Sequence, residues 1–170
     1  MKVRSDMGFS LVELLISVLV VGVLASIAMP SLRELRVRAQ LQATQSELIT
    51  SLAYARSQAL FLGQRVAICP SDDGFSCRRD RRWESGYLVF QDGNHNRRRD
   101  GDEPILSQGP YRPEVQVQAS AGRPMVIYHP NGGAYGYNVT LRLCSAIAQH
   151  SSRVIVSNPG RARIARGGGC

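Results

Sequence analysis

Phe9-Ser-Leu-Val-Glu-Leu-Leu-Ile-Ser-Val-Leu-Val-Val-Gly-Val-Leu-Ala-Ser-Ile-Ala-Met29 carries one charge, Glu13, in 21 residues. At about 1.5 Å of rise per residue the stretch makes a helix of about 31 Å, which matches a bilayer core of about 30 Å. The residues before it, Met1-Lys-Val-Arg-Ser-Asp-Met-Gly8, are short, polar and basic, so they are expected to stay in the cytoplasm. A cleaved secretory signal ending at Ser26-x-Ala28 and a plain membrane anchor both fit the apolar run. Glu13 argues against both. A carboxylate in an apolar span costs on the order of 2.5–3.5 kcal/mol near the bilayer centre and normally has a functional partner. Pro30 removes one backbone donor and is expected to kink the helix as it leaves the membrane, and Gly22 weakens it.

Working outward, residues 31–62 keep a helical period. Leu41, Leu48, Leu52, Ala55, Ala59 and Leu62 form one apolar stripe, and Gly63 is the expected stop. Beyond it the pattern changes to short strands separated by turn residues, expected at 65–69, 86–91, 114–118, 125–129, 135–143, 153–157 and 161–165. The expected architecture is α+β. A long N-terminal helix, half transmembrane (9–29) and half amphipathic (30–62), packs on a β-rich globular head of antiparallel sheets (63–170).

The net charge is +8, and Lys2 is the only lysine beside twenty arginines. This balance suits an anionic partner, nucleic acid or an acidic membrane surface. The four cysteines form no C-x-x-C pair and the three histidines are scattered, so no metal cluster or redox motif is expected. An even count in an exported head reads as two disulfides. The short loop with Pro70 and Gly74 favours Cys69–Cys77, leaving Cys144–Cys170 to tie down the tail.

Gly8-Phe9-Ser10-Leu11-Val12-Glu13 resembles the junction of type IV pilin and type II secretion pseudopilin precursors: a basic leader ending in Gly, then Phe, then an apolar run with Glu at its fifth position. The resemblance implies that residues 1–8 are a leader cut between Gly8 and Phe9 by a prepilin peptidase, with methylation of the new Phe9 amine. It also implies that Glu13 meets the N-terminal amine of a neighbouring pilin during assembly. The two charges, each costly alone in lipid, then neutralise only in register. Val66-Ala-Ile-Cys-Pro-Ser71, Gly74, Cys77, Trp83-x-x-Gly-Tyr-Leu-Val-Phe90, the Asp/Asn loop closing on Glu103, Leu143-Cys144 and Gly160-Arg-Ala-Arg163 follow in an order similar to the type II secretion H component and the FimT/FimU minor pilins.

No nucleophile elbow, zinc-protease motif or phosphate-binding glycine loop is present, and neither catalysis nor a cofactor is expected. The glycine-rich 131–136 segment reads as a hairpin turn. Asp92, Asn94, Asn96, Asp100 and Glu103 occupy positions one, three, five, nine and twelve of a calcium loop. Arg97, however, stands where glycine is needed, with Arg98 and Arg99 beside it, which favours a loop of Asx turns without metal. In the tail, Arg161 and Arg163 share a strand face by alternation, with Gly160 in the turn before them and Arg153 and Arg166 nearby. About 7 Å apart, they can grip successive phosphates. In the resembled family Gly-Arg-x-Arg at this place implies DNA capture by competence pili. The other reading of these arginines is a charged edge strand, in a structural pilin or pseudopilin that initiates or caps the filament.

Overall fold

The computed structural model describes residues 10–110, 113–145, 150–167 and 169–170, without the side chains of 27, 28, 30, 31 and 166. The element order is α1 (Leu11–Leu62), β1 (Val66–Pro70), β2 (Tyr87–Gln91), β3 (Ile105–Gly109), β4 (Val115–Ala119), β5 (Val126–Tyr128), β6 (Val139–Ser145), β7 (Ser151–Val156) and β8 (Ala162–Arg166). This is the expected α+β arrangement, a helix packed on antiparallel sheets. The chain forms two compact units, Met1–Arg36 and Val37–Cys170, and the division falls inside α1.

In the first unit α1 presents Leu11, Val12, Leu14, Leu15, Ile16, Val18, Leu19, Leu24 and Leu35 exposed. Among the described residues no helix is long and apolar enough to cross a membrane. The helix continues through Pro30.

In the second unit the apolar stripe does what its spacing implies. Leu41, Leu48, Leu52, Ala55 and Ala59 are buried and Leu62 packs beside them. The helix stops at Gly63, whose φ of 62° is the left-handed cap conformation that glycine adopts freely. Two four-stranded antiparallel sheets receive the stripe, ordered β3-β2-β1-β5 and β4-β6-β7-β8. Their inner faces meet the helix in one core that includes Val66, Ile68, Val89 and Tyr128 from the first sheet and Val117, Leu141, Leu143 and Val154 from the second. Tyr87 clamps helix to sheet: its hydroxyl contacts Ser51 Oγ and Glu47 Oε1. Arg56 Nε donates to the Gly132 carbonyl at 2.9 Å.

The two sheets differ in how they meet solvent. β1 is buried at every position and β2 at all but its last. Its outer side is covered by a second cluster of Ala67, Cys69, Leu88, Phe90 and Ile127, packed with Cys77, Ile105, Met125 and Tyr137. The Cys69–Cys77 disulfide belongs to that layer. β4, β6 and β7 instead alternate between buried and open positions. The second sheet thus has one covered face and one open face, the pattern of an antiparallel sheet half in water.

Two expectations are corrected. β3 has no counterpart among the expected strands. It is a half-buried edge strand with a register shift at Val89/Phe90, so it lacks the alternation that marks a strand. β6 begins at Val139 rather than 135. His129 N–H donates to the Gly133 carbonyl and Tyr137 N–H to the Ala134 carbonyl, and these turns hold the chain back from the sheet.

Candidate nucleic-acid interface

The open face of the second sheet is assembled by register. Leu141, Leu143, Val154 and Val156 point into the core, so their strand neighbours point out. Arg142 pairs directly with Arg153, Ile155 with Arg163, and Arg153 with Ala165. Arg142, Arg153 and Arg163 therefore share the outer face. Arg161 lies just before β8, where its carbonyl accepts from Ser157 N–H and Oγ. Gln116 and Gln118 continue the face on β4, and among the described residues no acidic side chain occupies any strand position on it.

This arrangement is electrostatically unfavourable for the head alone. Directly opposed residues of an antiparallel pair stand about 4.5–5.5 Å apart at Cα, and like charges so placed repel. Arg153 is half-buried and its Nε has no hydrogen-bond partner. Arg161 and Arg163 are exposed. A polyanion lying on the face would offset the repulsion.

Two constraints fix the edge strand. Gly160 is buried with φ 79°, and a Cβ there would fall 1.9 Å from the Gly132 carbonyl oxygen. The Cys144–Cys170 disulfide closes the C-terminus onto β6, and Cys144 has the same strand parity as Arg142. Both disulfides are the pairings expected from the sequence. Arg166 ends β8, but its side chain lies outside the described residues. Arg142 was missed because alternation marks it only as a solvent position. The pairing of β6 with β7 is what places it against Arg153.

A second basic surface lies across the head. Arg65, Arg97, Arg98 and Arg123 line an open cleft of about 850 Å³ with Tyr135 and Tyr137. His129 stands between the tyrosines, with ring centroids 6.3 and 6.2 Å away. Arg123 Nη1 is buried with no partner. These residues are spread over the sequence, and no local pattern unites them.

At the other end, Gly8 and Phe9 lie outside the described residues. Glu13 sits in the first turn of α1, and its N–H donates to Ser10 Oγ at 3.2 Å. Ser10 thus caps the helix, and a carboxylate in that turn suits the helix dipole. Among the described residues no three His, Cys, Asp or Glu side chains gather to hold a metal.

Comparison with known proteins agrees with the fold. The family model described as type II transport protein GspH matches residues 44–160. The pilin-like protein PilA1 of Thermus thermophilus is 32% identical over 164 residues, covering 92% of this chain and 97% of that protein. The type IV minor pilin FimU of Pseudomonas aeruginosa superposes with a TM-score of 0.57 at 19% identity, over 77% of this chain and 90% of FimU. The minor pseudopilin EpsH of the Vibrio cholerae type 2 secretion system gives 0.52 at 13%, over 75% and 97%. At these identities the two structures speak for the fold. The family match and the Thermus relative carry the assignment: the chain belongs to the GspH family of type IV minor pilins and type II secretion pseudopilins.

Proposed function

We propose that this minor pilin binds DNA without sequence preference on the open face of its second sheet and serves DNA uptake. The observation that carries the reading is the Arg142–Arg153 cross-strand pair, continued by Arg161 and Arg163 on a face whose described strand positions carry no acid. Arginine forks suit phosphate, and a sheet face carrying them offers no helix to enter a groove and read bases. The Val37–Cys170 unit contains both sheets and the core, so it is the fragment to test. It should shift duplexes of unrelated sequence equally in a gel, and Arg161→Ala with Arg163→Ala should abolish the shift while leaving the thermal transition in place. No shift at low salt would leave the chain a structural minor pilin or pseudopilin that starts or caps a filament.

The N-terminal half is proposed to follow the pilin route. Prepilin peptidase cuts between Gly8 and Phe9, and the Phe9 amine is methylated. Residues 9–29 hold the chain in the inner membrane, with the head in the periplasm, until assembly. The support for the span is the sequence, whose apolar run from Phe9 to Met29 reaches the roughly 20 residues a span needs. Glu13 then pairs with the amine of a neighbouring pilin, and the protein acts without catalysis. Glu13→Leu should remain in the membrane fraction and be absent from sheared filaments. Normal incorporation would remove Glu13 from assembly.

A further inference from the structure

The loop between β2 and β3, Asp92-Gly-Asn-His-Asn-Arg-Arg-Arg-Asp-Gly-Asp-Glu103, has calcium-loop spacing but lacks glycine at its sixth position. The structure answers that objection. Arg97 takes φ 65° there and His95 takes φ 65° two residues earlier, so the backbone makes left-handed turns that usually need glycine. The arginine charges also leave the loop interior. Arg99 turns back onto the carbonyls of Glu103 and Gly101, while Arg97 and Arg98 line the clefts beside the loop.

The polar side chains of the loop are tied to one another and to its backbone, although the carboxylates of Asp92, Asp100 and Glu103 do not converge without an ion to draw them together. Asp92 Oδ1 accepts from Arg97 N–H at 3.2 Å, which holds the carboxylate within the turn. Asn94 Nδ2 and Asn96 Nδ2 both donate to Asp100 Oδ2 at 2.6 Å, while Asn94 Oδ1 accepts from Asn96 N–H and Asn96 Oδ1 from Arg98 N–H. Glu103 closes the loop, accepting from Gly93 and Asp100 N–H at 3.0 Å each. A separate observation points to a ligand: Asp92 is fully buried, and its Oδ2 has no hydrogen-bond partner. A buried carboxylate oxygen facing no donor is costly, and a cation removes that cost.

We infer that this loop is a calcium site. Its donors are oxygens of Asp92, Asn94, Asn96, Asp100 and Glu103 and the Arg98 carbonyl, a hard set that suits calcium and offers nothing to zinc or copper. Half of this set comes from amides and the main chain rather than carboxylates. With three arginines adjacent, affinity falls in the weak extracellular class, Kd roughly 10⁻⁴–10⁻³ M. The bound ion would fix the backbone that carries Arg97 and Arg98 at the cleft.

The test is calorimetric titration of the full chain in detergent with calcium chloride and with magnesium chloride, without DNA, alongside thermal unfolding in each. Saturable calcium binding in that range, a rise in Tm with calcium at ~5 mM and little response to magnesium are expected. Asn94→Ala and Asn96→Ala should each weaken binding on the order of tenfold or more, since even supporting residues of metal sites cost roughly 10–100-fold, with the calcium-free Tm kept. Absence of saturable binding, an equal magnesium response, or calcium binding unchanged in both variants would overturn the assignment.

Discussion

Gly160 is packed against Gly132 so closely that a Cβ on the former would fall 1.9 Å from the carbonyl oxygen of the latter. That carbonyl is already held by Arg56 Nε from the helix. The turn leading to β8 is therefore locked to the turn after β5 and to α1. Because φ is 79° at Gly160, Gly160→Ala meets both strain and a backbone clash. A loss of about 2–3 kcal/mol is expected in urea unfolding of residues 37–170.

The arginine face predicts a graded response to salt. Removing a single phosphate contact weakens binding for all sequences alike and lowers the salt slope by about 0.9. Arg142→Ala and Arg163→Ala should each do so in a titration of duplex binding against salt. Arg142→Ala should in addition leave the head unchanged or slightly more stable without DNA, because it relieves the repulsion with Arg153.

The Cys144–Cys170 bond spans a sequence separation of 26. A loop of that size is worth about 3–4 kcal/mol on the chain-entropy account. Cys170→Ser should lower stability by about that amount in denaturant. It should also expose the tail to carboxypeptidase, while the Cys69–Cys77 layer keeps its protection.

Acid should loosen the 71–80 segment and modestly lower the stability of the head. Asp72 and Asp80 are held below the ordinary carboxylate value of 3.8 chiefly by hydrogen bonds from Arg78. Asp73 is held down chiefly by Ser76, through its hydroxyl and then its N–H, and by Phe75 N–H. A carboxyl depressed in the folded state adds stability that is complete above the unfolded value, near 3.9, and lost as pH falls toward the folded one. Tm should be flat from pH ~7 to ~5 and fall below about 4. Asp73→Asn should lower Tm at neutral pH and flatten the acid limb.

How much of this was legible depends on how local each signal is. The helix stripe was readable because Leu48, Leu52, Ala55 and Ala59 repeat at helical spacing and bury the same face. Most strands were readable from alternation or short apolar runs. β3 was not, because Ile105–Gly109 is half-buried without alternation. In the candidate interface, Arg161 and Arg163 are close in sequence and were visible. Arg142 joins them only through the pairing of β6, β7 and β8. Asp92 was visible as the first position of a calcium-type loop, but its complete burial was not, because burial depends on how the sheet packs around the loop.

The boundary between units falls within α1, between Arg36 and Val37. One element of 52 residues therefore has two separate sources of stability. From Val37 onward the chain supplies its own apolar partners, and that portion should melt with the head at any dilution. Before it, Leu11, Val12, Leu14, Leu15, Leu24 and Leu35 are each more than half exposed, so these side chains draw little stability from apolar burial. If lipid or other copies of the chain order that half, its helicity should rise with detergent or protein concentration while the melting of residues 37–170 stays where it is.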